Sequence, residues 1–256
     1  MKKYNKKLIL LMDAIFLIVS ISLIYQIYSK QSLYKENYHL NNSLQNNIKS
    51  QDYLTSIKKQ LPLNTHLPKN RDLLELKKSN SDLIGWIYIP GTAVDYPIVQ
   101  YSDNSFYLNH TFDKKESFAG SIYMDYRNTL FKDQNTIIYG HSLNDGSMFS
   151  DLNKFKNKEY FSNNNTITIV LFDQILIYEI FSVYTTDKEY DYRTPEYNNP
   201  NDFENFLKEI YDRSIVSSKN NPQISDKILT LSTCNDGLSD KRLAVHAILK
   251  KCIQLD

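Results

Sequence analysis

Near the C-terminus, residues 228–247 read ILTLSTCNDGLSDKRLAVHA, which is two apolar runs joined by a short polar loop around Gly237. This pattern predicts an antiparallel hairpin. Cys234 then ends one strand and Arg242 begins the next. If residue 234 pairs near residue 242, the thiol and the guanidinium lie side by side.

The hairpin belongs to a longer β-rich region that follows Gly85. Short runs rich in Ile, Val, Tyr, Phe and Thr alternate there with Gly, Pro, Asn and Asp, and they predict eight strands. The predicted strands are 86–90, 94–100, 120–125, 135–141, 166–171, 175–186, 227–234 and 242–250. Their number and spacing favour a mainly β fold, either a barrel or a sandwich. Asn199 precedes an amphipathic pattern that predicts a capped helix over 203–213, within the connection between the sixth and seventh strands.

The N-terminus predicts a membrane anchor. Four lysines within residues 1–7 precede the apolar run 8–28, whose 21 residues include one charge, Asp13. As a helix this run is about 31 Å long, which matches a hydrocarbon core of about 30 Å. We expect an uncleaved signal anchor with the N-terminus in the cytoplasm and the remaining chain outside. A buried core helix is the alternative.

The segments around the anchor complete the predicted organisation. Residues 1–7 form a basic tail, and 29–68 are polar with a thin stripe of Leu and Ile, which indicates a helical stalk rather than a core. Residues 69–256 form the compact domain.

The composition excludes several classes of protein. The 256 residues carry a net charge of +1, whereas nucleic-acid binders usually have a strongly basic balance. Two cysteines are too few for a disulfide framework or a typical structural zinc site. The hairpin register would place Cys252 opposite about residue 224, roughly 33 Å along the strand from Cys234. That separation excludes a disulfide and leaves Cys234 as a free thiol.

A thiol beside a guanidinium is a plausible reactive group, because a nearby cation favours the thiolate. His141 is the best candidate for an accompanying base, since it ends the strand 135–141 just before a loop. His246 lies inside an apolar strand, which predicts a core role. The other histidines lie in the stalk, a linker or a polar loop: His39, His66 and His110.

These residues resemble a known family. Thr230–Cys234 followed by Arg242 resembles the TLxTC…R signature of the sortases, and Tyr139–Ser142 resembles their histidine segment. The segments 85–92, 96–100 and 119–128 resemble class B sortases in particular. The resemblance covers about residues 70–252. It implies a closed eight-stranded β-barrel with N-terminal helices and one long helix in the connection between strands six and seven.

The resemblance also implies an activity. Sortases are cysteine transpeptidases on the outer face of Gram-positive membranes. They cleave a sorting motif near the C-terminus of a secreted surface protein and join the new carboxyl end to an amine, usually of peptidoglycan. Class B members often take NPxTx-like motifs, and no metal or cofactor is required.

By the same resemblance, each site residue has a role in this chain. Cys234 is the nucleophile, His141 is the general acid/base, and Arg242 holds the substrate carbonyl and its developing oxyanion. Candidates for substrate binding follow from a class B segment around residues 103–108 and from the position just before the nucleophile: Asn104, Leu108 and Ser232.

Two other readings stay open. A pilin-polymerising sortase would use a pilin lysine as its amine, and such enzymes often carry a second, C-terminal span, which we do not expect in residues 250–256. A membrane-anchored β-barrel that only binds a partner would leave Cys234 as an inert packed thiol.

Overall fold

The computed structural model describes the backbone of residues 6–46, 73–234 and 241–255. Side chains are described for residues 12–44, 73–233 and 241–255. The strands are β1 Leu83–Tyr88, β2 Asp95–Val99, β3 Ile122–Met124, β4 Asn135–His141, β5 Thr166–Val170, β6 Gln174–Asp187, β7 Ile228–Cys234 and β8 Lys241–Gln254. The helices are α1 Lys6–Asn46, α2 Leu73–Ser79, α3 Lys158–Asn163 and α4 Pro200–Asp212, with a 3-10 helix at Ser150–Lys156.

The eight strands close into one barrel in the order β1-β2-β3-β4-β7-β8-β6-β5. Two neighbouring pairs, β2 with β3 and β4 with β7, are parallel, and the other pairs are antiparallel. Closure leaves no sheet edge exposed to other chains. All eight predicted strands are confirmed, and a barrel rather than a sandwich is formed.

The register of β7 and β8 agrees with the predicted hairpin. Leu231 pairs with Val245 and Ser232 with Ala244, so two further steps along each strand bring residue 234 opposite residue 242. The predicted loop around Gly237 lies outside the described residues. The expected position of Cys252 is wrong: β7 begins only at Ile228, and Cys252 pairs with Leu176 of β6 instead. Cys252 is an exposed free thiol.

The barrel interior beneath β4 is tightly packed. Every residue of β4 is buried, because one face of the strand points into the barrel and the other is covered by loops. A Cβ atom at Gly140 would lie 2.8 Å from the Phe149 ring and would also collide with Ile122. Glycine therefore allows the core to close directly under the neighbouring His141.

Helix α4 forms as predicted, three residues earlier than its expected start. The Asn199 side chain accepts a hydrogen bond from the backbone N–H of Asn201, and Pro200 occupies the first turn, as at many helix N-termini. The apolar face of the helix is buried against β6, β7 and β8. This face comprises Phe203, Phe206, Leu207 and Ile210.

Helix α1 differs from the expected anchor followed by a separate stalk. It continues without a break past Tyr28 to Asn46. Within Met12–Leu44, an 18-residue stretch with a mean hydropathy of 1.6 is long and apolar enough to cross a membrane, a test that a secretory signal also passes. Phe16 is 75 % exposed, which excludes the reading of this run as a buried core helix. Residues 1–5 of the predicted tail and 47–68 of the predicted stalk lie outside the described residues.

The second half of α1 packs on the barrel instead of standing clear of it. Leu44 is buried in a cluster with Leu73, Leu83 and Trp86, and Tyr34 packs against the main core. The thin apolar stripe of the predicted stalk is therefore partly core, contrary to expectation. A stripe of single leucines is enough to pack α1 on the barrel, because the barrel wall, and not a second helix, covers the stripe.

Candidate active site

The strand register brings the three predicted catalytic residues to one end of the barrel. His141 and Cys234 are direct partners on the parallel strands β4 and β7. Neighbouring strands in a sheet lie about 4.8 Å apart, so the two backbones are adjacent. Arg242 begins β8, the neighbour of β7 on its other side, where it pairs with Thr186 of β6. The side chain of Cys234 lies outside the described residues.

The protonation of the His141 ring follows from one hydrogen bond. Its Nε2 atom lies 2.7 Å from the backbone carbonyl oxygen of Leu108. A carbonyl can only accept, so Nε2 carries the hydrogen in the neutral ring and Nδ1 holds the lone pair. Nδ1 is buried, and no group among the described residues forms a hydrogen bond with it. Nδ1 is thus the nitrogen that remains available for proton transfer.

Burial lowers the pKa of His141 below its ordinary value. The hydrogen bond to the Leu108 carbonyl opposes this shift, and the positive charge of Arg242 adds to it. Burial therefore favours the neutral form of the ring, in which Nδ1 can accept a proton.

The described residues engage the Arg242 guanidinium only lightly. Its one hydrogen bond to a described group runs from Nη1 to the carbonyl oxygen of Lys241 and is long, at 3.5 Å. Arg242 is partly exposed. A permanently charged, planar fork is suited to an incoming carbonyl or oxyanion.

Two of the predicted substrate-binding residues have internal partners in the structure. The Asn104 side chain donates to Asp125 Oδ2 at 3.0 Å and accepts from the backbone N–H of Tyr126 at 3.0 Å. Leu108 is half-buried, and its carbonyl is the one that orients His141. This backbone role was missed by the sequence analysis, because no side-chain pattern signals which carbonyl a histidine will meet.

Ser232, the third predicted substrate-binding residue, is buried, with 1 % of its surface exposed. Its hydroxyl lies 2.8 Å from the hydroxyl of Tyr192. The Ser232 side chain therefore ties β7 to the segment that leads into α4.

A buried carboxylate supports this end of the barrel. Asp125 is fully buried, and Arg127 donates to both of its oxygens at 2.9 and 2.8 Å. Tyr139, two residues before His141, donates to the same carboxylate at 2.8 Å. Burial acts to raise the pKa of Asp125, but the hydrogen bonds from Arg127 and Tyr139 outweigh it and hold the pKa below its ordinary value. Sequence analysis missed Asp125, since its partners come from separate segments.

The expected core role of His246 is confirmed. The ring is fully buried, with Nδ1 2.8 Å from the Thr230 hydroxyl and Nε2 2.9 Å from the Tyr184 hydroxyl. Burial lowers the pKa of His246 to about 3. Both ring nitrogens are occupied, so His246 is a structural residue. Across the described parts of the chain, no cluster of three or more His, Cys, Asp or Glu side chains could hold a metal ion.

Comparison with known proteins identifies the family. The family model of the Sortase domain matches residues 87–250. The chain is 41 % identical to Sortase B of Listeria monocytogenes over 165 residues, which cover 64 % of this chain and 67 % of that protein. The chain is a member of the sortase family, class B. Sortase B of Staphylococcus aureus is 35 % identical to this sortase over 199 residues, covering 75 % of this chain and 80 % of the relative.

Solved structures agree with this assignment. A Staphylococcus aureus sortase B–substrate complex superposes on this sortase with a TM-score of 0.72 at 31 % identity, covering 85 % of this chain and 97 % of that one. The crystal structure of Clostridium perfringens sortase B gives a TM-score of 0.66 at 35 % identity, over 70 % and 99 % of the two chains. The family, the barrel fold and the class of enzyme expected from the sequence are confirmed. Sortases are cysteine transpeptidases, so this sortase is an enzyme and not a binding module.

Proposed function

We propose that this sortase cleaves an NPxTx-like sorting motif near the C-terminus of secreted proteins, after its Thr, and transfers the new acyl end to a peptidoglycan amine. The observation that carries the proposal is the pairing of His141 with Cys234 on β4 and β7, with Arg242 at the start of the next strand. A nucleophile, a base and a fixed cation are the groups that acyl transfer requires.

In the first step Cys234 loses its proton to Nδ1 of His141, and the thiolate attacks the carbonyl carbon of the Thr. The carbonyl oxygen becomes an oxyanion, which the guanidinium of Arg242 stabilises by donated hydrogen bonds. Nδ1 is suited to take the proton because Leu108 holds the other ring nitrogen as N–H.

In the second step the tetrahedral intermediate collapses to a thioester on Cys234. The protonated His141 gives its proton to the departing amine, which would otherwise be a very poor leaving group. An incoming amine of a peptidoglycan precursor or cross-bridge then attacks the thioester, and the neutral His141 accepts its proton. Water in place of the amine gives hydrolysis.

The substrate groove is proposed to lie beside α4 and the segment that precedes it. Tyr192 is fixed to β7 through Ser232, which supports this wall. We propose that Asn104 and Leu108 line the opposite side, with the Asn104 amide held in one orientation by Asp125. Ser232 contributes through Tyr192, since its hydroxyl is buried.

We further propose that α1 anchors the enzyme through residues 8–28, with the N-terminus in the cytoplasm and the catalytic domain outside. The exposed apolar surface of this part of α1 supports the proposal, because a soluble protein rarely exposes so large an apolar patch. The basic tail of four lysines is consistent with this orientation.

The test is cleavage of pentapeptides flanked by a fluorophore and a quencher, in the presence of an amine acceptor, with products identified by mass spectrometry. We expect cleavage after Thr, and we expect Cys234→Ala to reduce it by at least about 10³-fold, since the covalent route is lost. Cys252→Ala is the matched control, because Cys252 is an exposed thiol at the far end of β8, and it should retain full activity.

Each outcome has a distinct meaning. Cleavage by Cys234→Ala above a few per cent of the wild-type rate would contradict the role of the nucleophile. Transfer to the lysine of a pilin-like peptide but not to a peptidoglycan-like amine would favour the pilin-polymerising alternative.

A further inference from the structure

Phe118 lies against the face of the candidate catalytic histidine. The two ring centroids are 5.8 Å apart and the planes differ by 22°, so the rings stack. Phe118 is nonetheless 45 % exposed. An aromatic side chain that leaves nearly half of its surface in water gains little from burial, so burial alone does not account for the position of Phe118 on His141.

Helix α1 holds Phe118 from the outside. The Tyr34 ring lies 6.1 Å from the Phe118 ring, within the range of favourable aromatic pairs. The ammonium of Lys30 lies 5.8 Å from the centroid of the same ring, within the range of a cation–π contact. Glu36, two residues beyond Tyr34 on α1, forms an ion pair of 3.1 Å with Lys115 of the same loop. Three residues of α1 therefore contact the loop that carries Phe118.

The same loop is joined to the carbonyl that orients His141. The backbone N–H of Ser121 donates to the Tyr107 carbonyl at 2.9 Å. Gly120 has φ +58°, and a Cβ atom there would lie 2.5 Å from the Leu108 carbonyl oxygen. Only glycine permits this approach. The loop between β2 and β3 thus restrains His141 in two ways. The Leu108 carbonyl holds the ring within its plane, and the Phe118 ring packs on its face.

We propose that Phe118 is a positioning residue for His141, and that Tyr34 and Lys30 of α1 hold it in place, so that the N-terminal helix is part of the catalytic assembly. This inference rests on the proposed role of His141 as general acid/base. Rotation of the ring about its Cβ bond would change the direction in which Nδ1 points, and small misplacements of a catalytic group are costly. Phe118 also keeps water from one face of the ring.

The experiment uses the full chain in lipid nanodiscs. The variants are Phe118→Ala, Phe118→Tyr and Tyr34→Ala. Phe172→Ala is the matched control: Phe172 is also exposed and also lies under a lysine, with Lys77 Nζ 4.9 Å from its ring centroid. It belongs to the β5–β6 turn, next to Gln174, which pairs with Gln254 at the end of β8 remote from Arg242.

We expect Phe118→Ala to lower kcat about tenfold and to change KM by less than about twofold, since the ring positions His141 rather than the peptide. Phe118→Tyr should restore most of the rate, and Tyr34→Ala should lower kcat about threefold. Phe172→Ala should have wild-type kcat. The melting temperature of each variant confirms that it is folded.

The pKa of His141, measured by NMR without substrate, separates positioning from general stability. Removing Phe118 admits water to the ring, so the pKa should rise toward its ordinary value. Among the described residues, the charged groups that face this site are Arg242 on β8 and Lys30 on α1, and the backbone of Cys234 lies beside His141 on β7; the variants alter none of them.

Wild-type kcat and an unchanged His141 pKa in Phe118→Ala would overturn the inference. An equal loss in Phe172→Ala would also overturn it, and wild-type kcat in Tyr34→Ala would exclude the contribution of α1. These outcomes are separate from failure of the proposed function, which would appear as activity in Cys234→Ala.

Discussion

At the scale of single residues, Arg242 acts on His141 in addition to its proposed role at the substrate carbonyl. Its charge adds to the effect of burial in lowering the pKa of His141. Arg242→Gln should therefore raise that pKa, whereas Arg242→Lys should keep it close to the wild-type value. Both variants should lose most of their activity, because a compact ammonium cannot reproduce the planar fork. NMR titration and peptide cleavage test the two effects separately, and near-normal turnover of Arg242→Lys would show that charge alone suffices.

The three catalytic candidates were accessible to sequence analysis because each stands at the end of a strand with a clear apolar pattern. The contacts that orient His141 could not be predicted from the sequence. The Leu108 carbonyl and the Phe118 ring reach His141 through the tertiary fold, from a loop without periodicity. Asn104 and Ser232 were found as positions, but their hydrogen bonds to Asp125 and Tyr192 depend on segments distant in the sequence.

At the scale of elements, β7 and β8 share a buried polar link that should make the fold sensitive to acid. The pKa of His246 is about 3 in the folded protein and about 6.5 in an unfolded chain. The unfolded state therefore binds more protons between these values, so this contribution to stability is complete above pH 6.5 and is lost as the pH falls toward 3. Between pH 6.5 and 4.5 the loss is about 2 kcal/mol.

Urea unfolding at pH 7 and pH 4.5 measures this loss. His246→Gln should be less stable than the wild type at pH 7, because the bonds to Thr230 and Tyr184 are disturbed. Its stability should nevertheless fall less between the two pH values, since it has no group to protonate at this position. Equal pH dependence in the two proteins would contradict the assignment.

The strands and α4 were predictable because their apolar patterns are complete within the element itself. The extent of α1 could not be predicted in this way, since Leu44 and Tyr34 pack only where the barrel wall is their partner. The predicted partner of Cys252 was wrong for a similar reason. The prediction extended the hairpin beyond the start of β7, into a part of β8 that pairs with β6 alone.

At the scale of the whole molecule, the continuity of α1 determines where the catalytic end of the barrel stands. Lys30 and Tyr34 follow the proposed span 8–28 within the same helix. At about 1.5 Å per residue, Tyr34 lies roughly 9 Å along the axis from Tyr28. If the proposed span crosses the membrane, the contacts from Lys30 and Tyr34 to Phe118 hold His141 close to the membrane surface. A membrane-linked amine acceptor and a secreted protein still held in the membrane could both reach it there.

This topology is testable through a thiol that the chain already carries. Cys252 is exposed, so in the Cys234→Ala variant it should react with a membrane-impermeant maleimide on intact cells. A second chain with Lys3→Cys, Cys234→Ala and Cys252→Ala should react only after the membrane is permeabilised, because residue 3 precedes the span. The two chains differ only in which side of the membrane presents the thiol, so opposite labelling patterns establish the orientation. Labelling of Cys252 only after permeabilisation would place the catalytic domain in the cytoplasm and would contradict access to peptidoglycan.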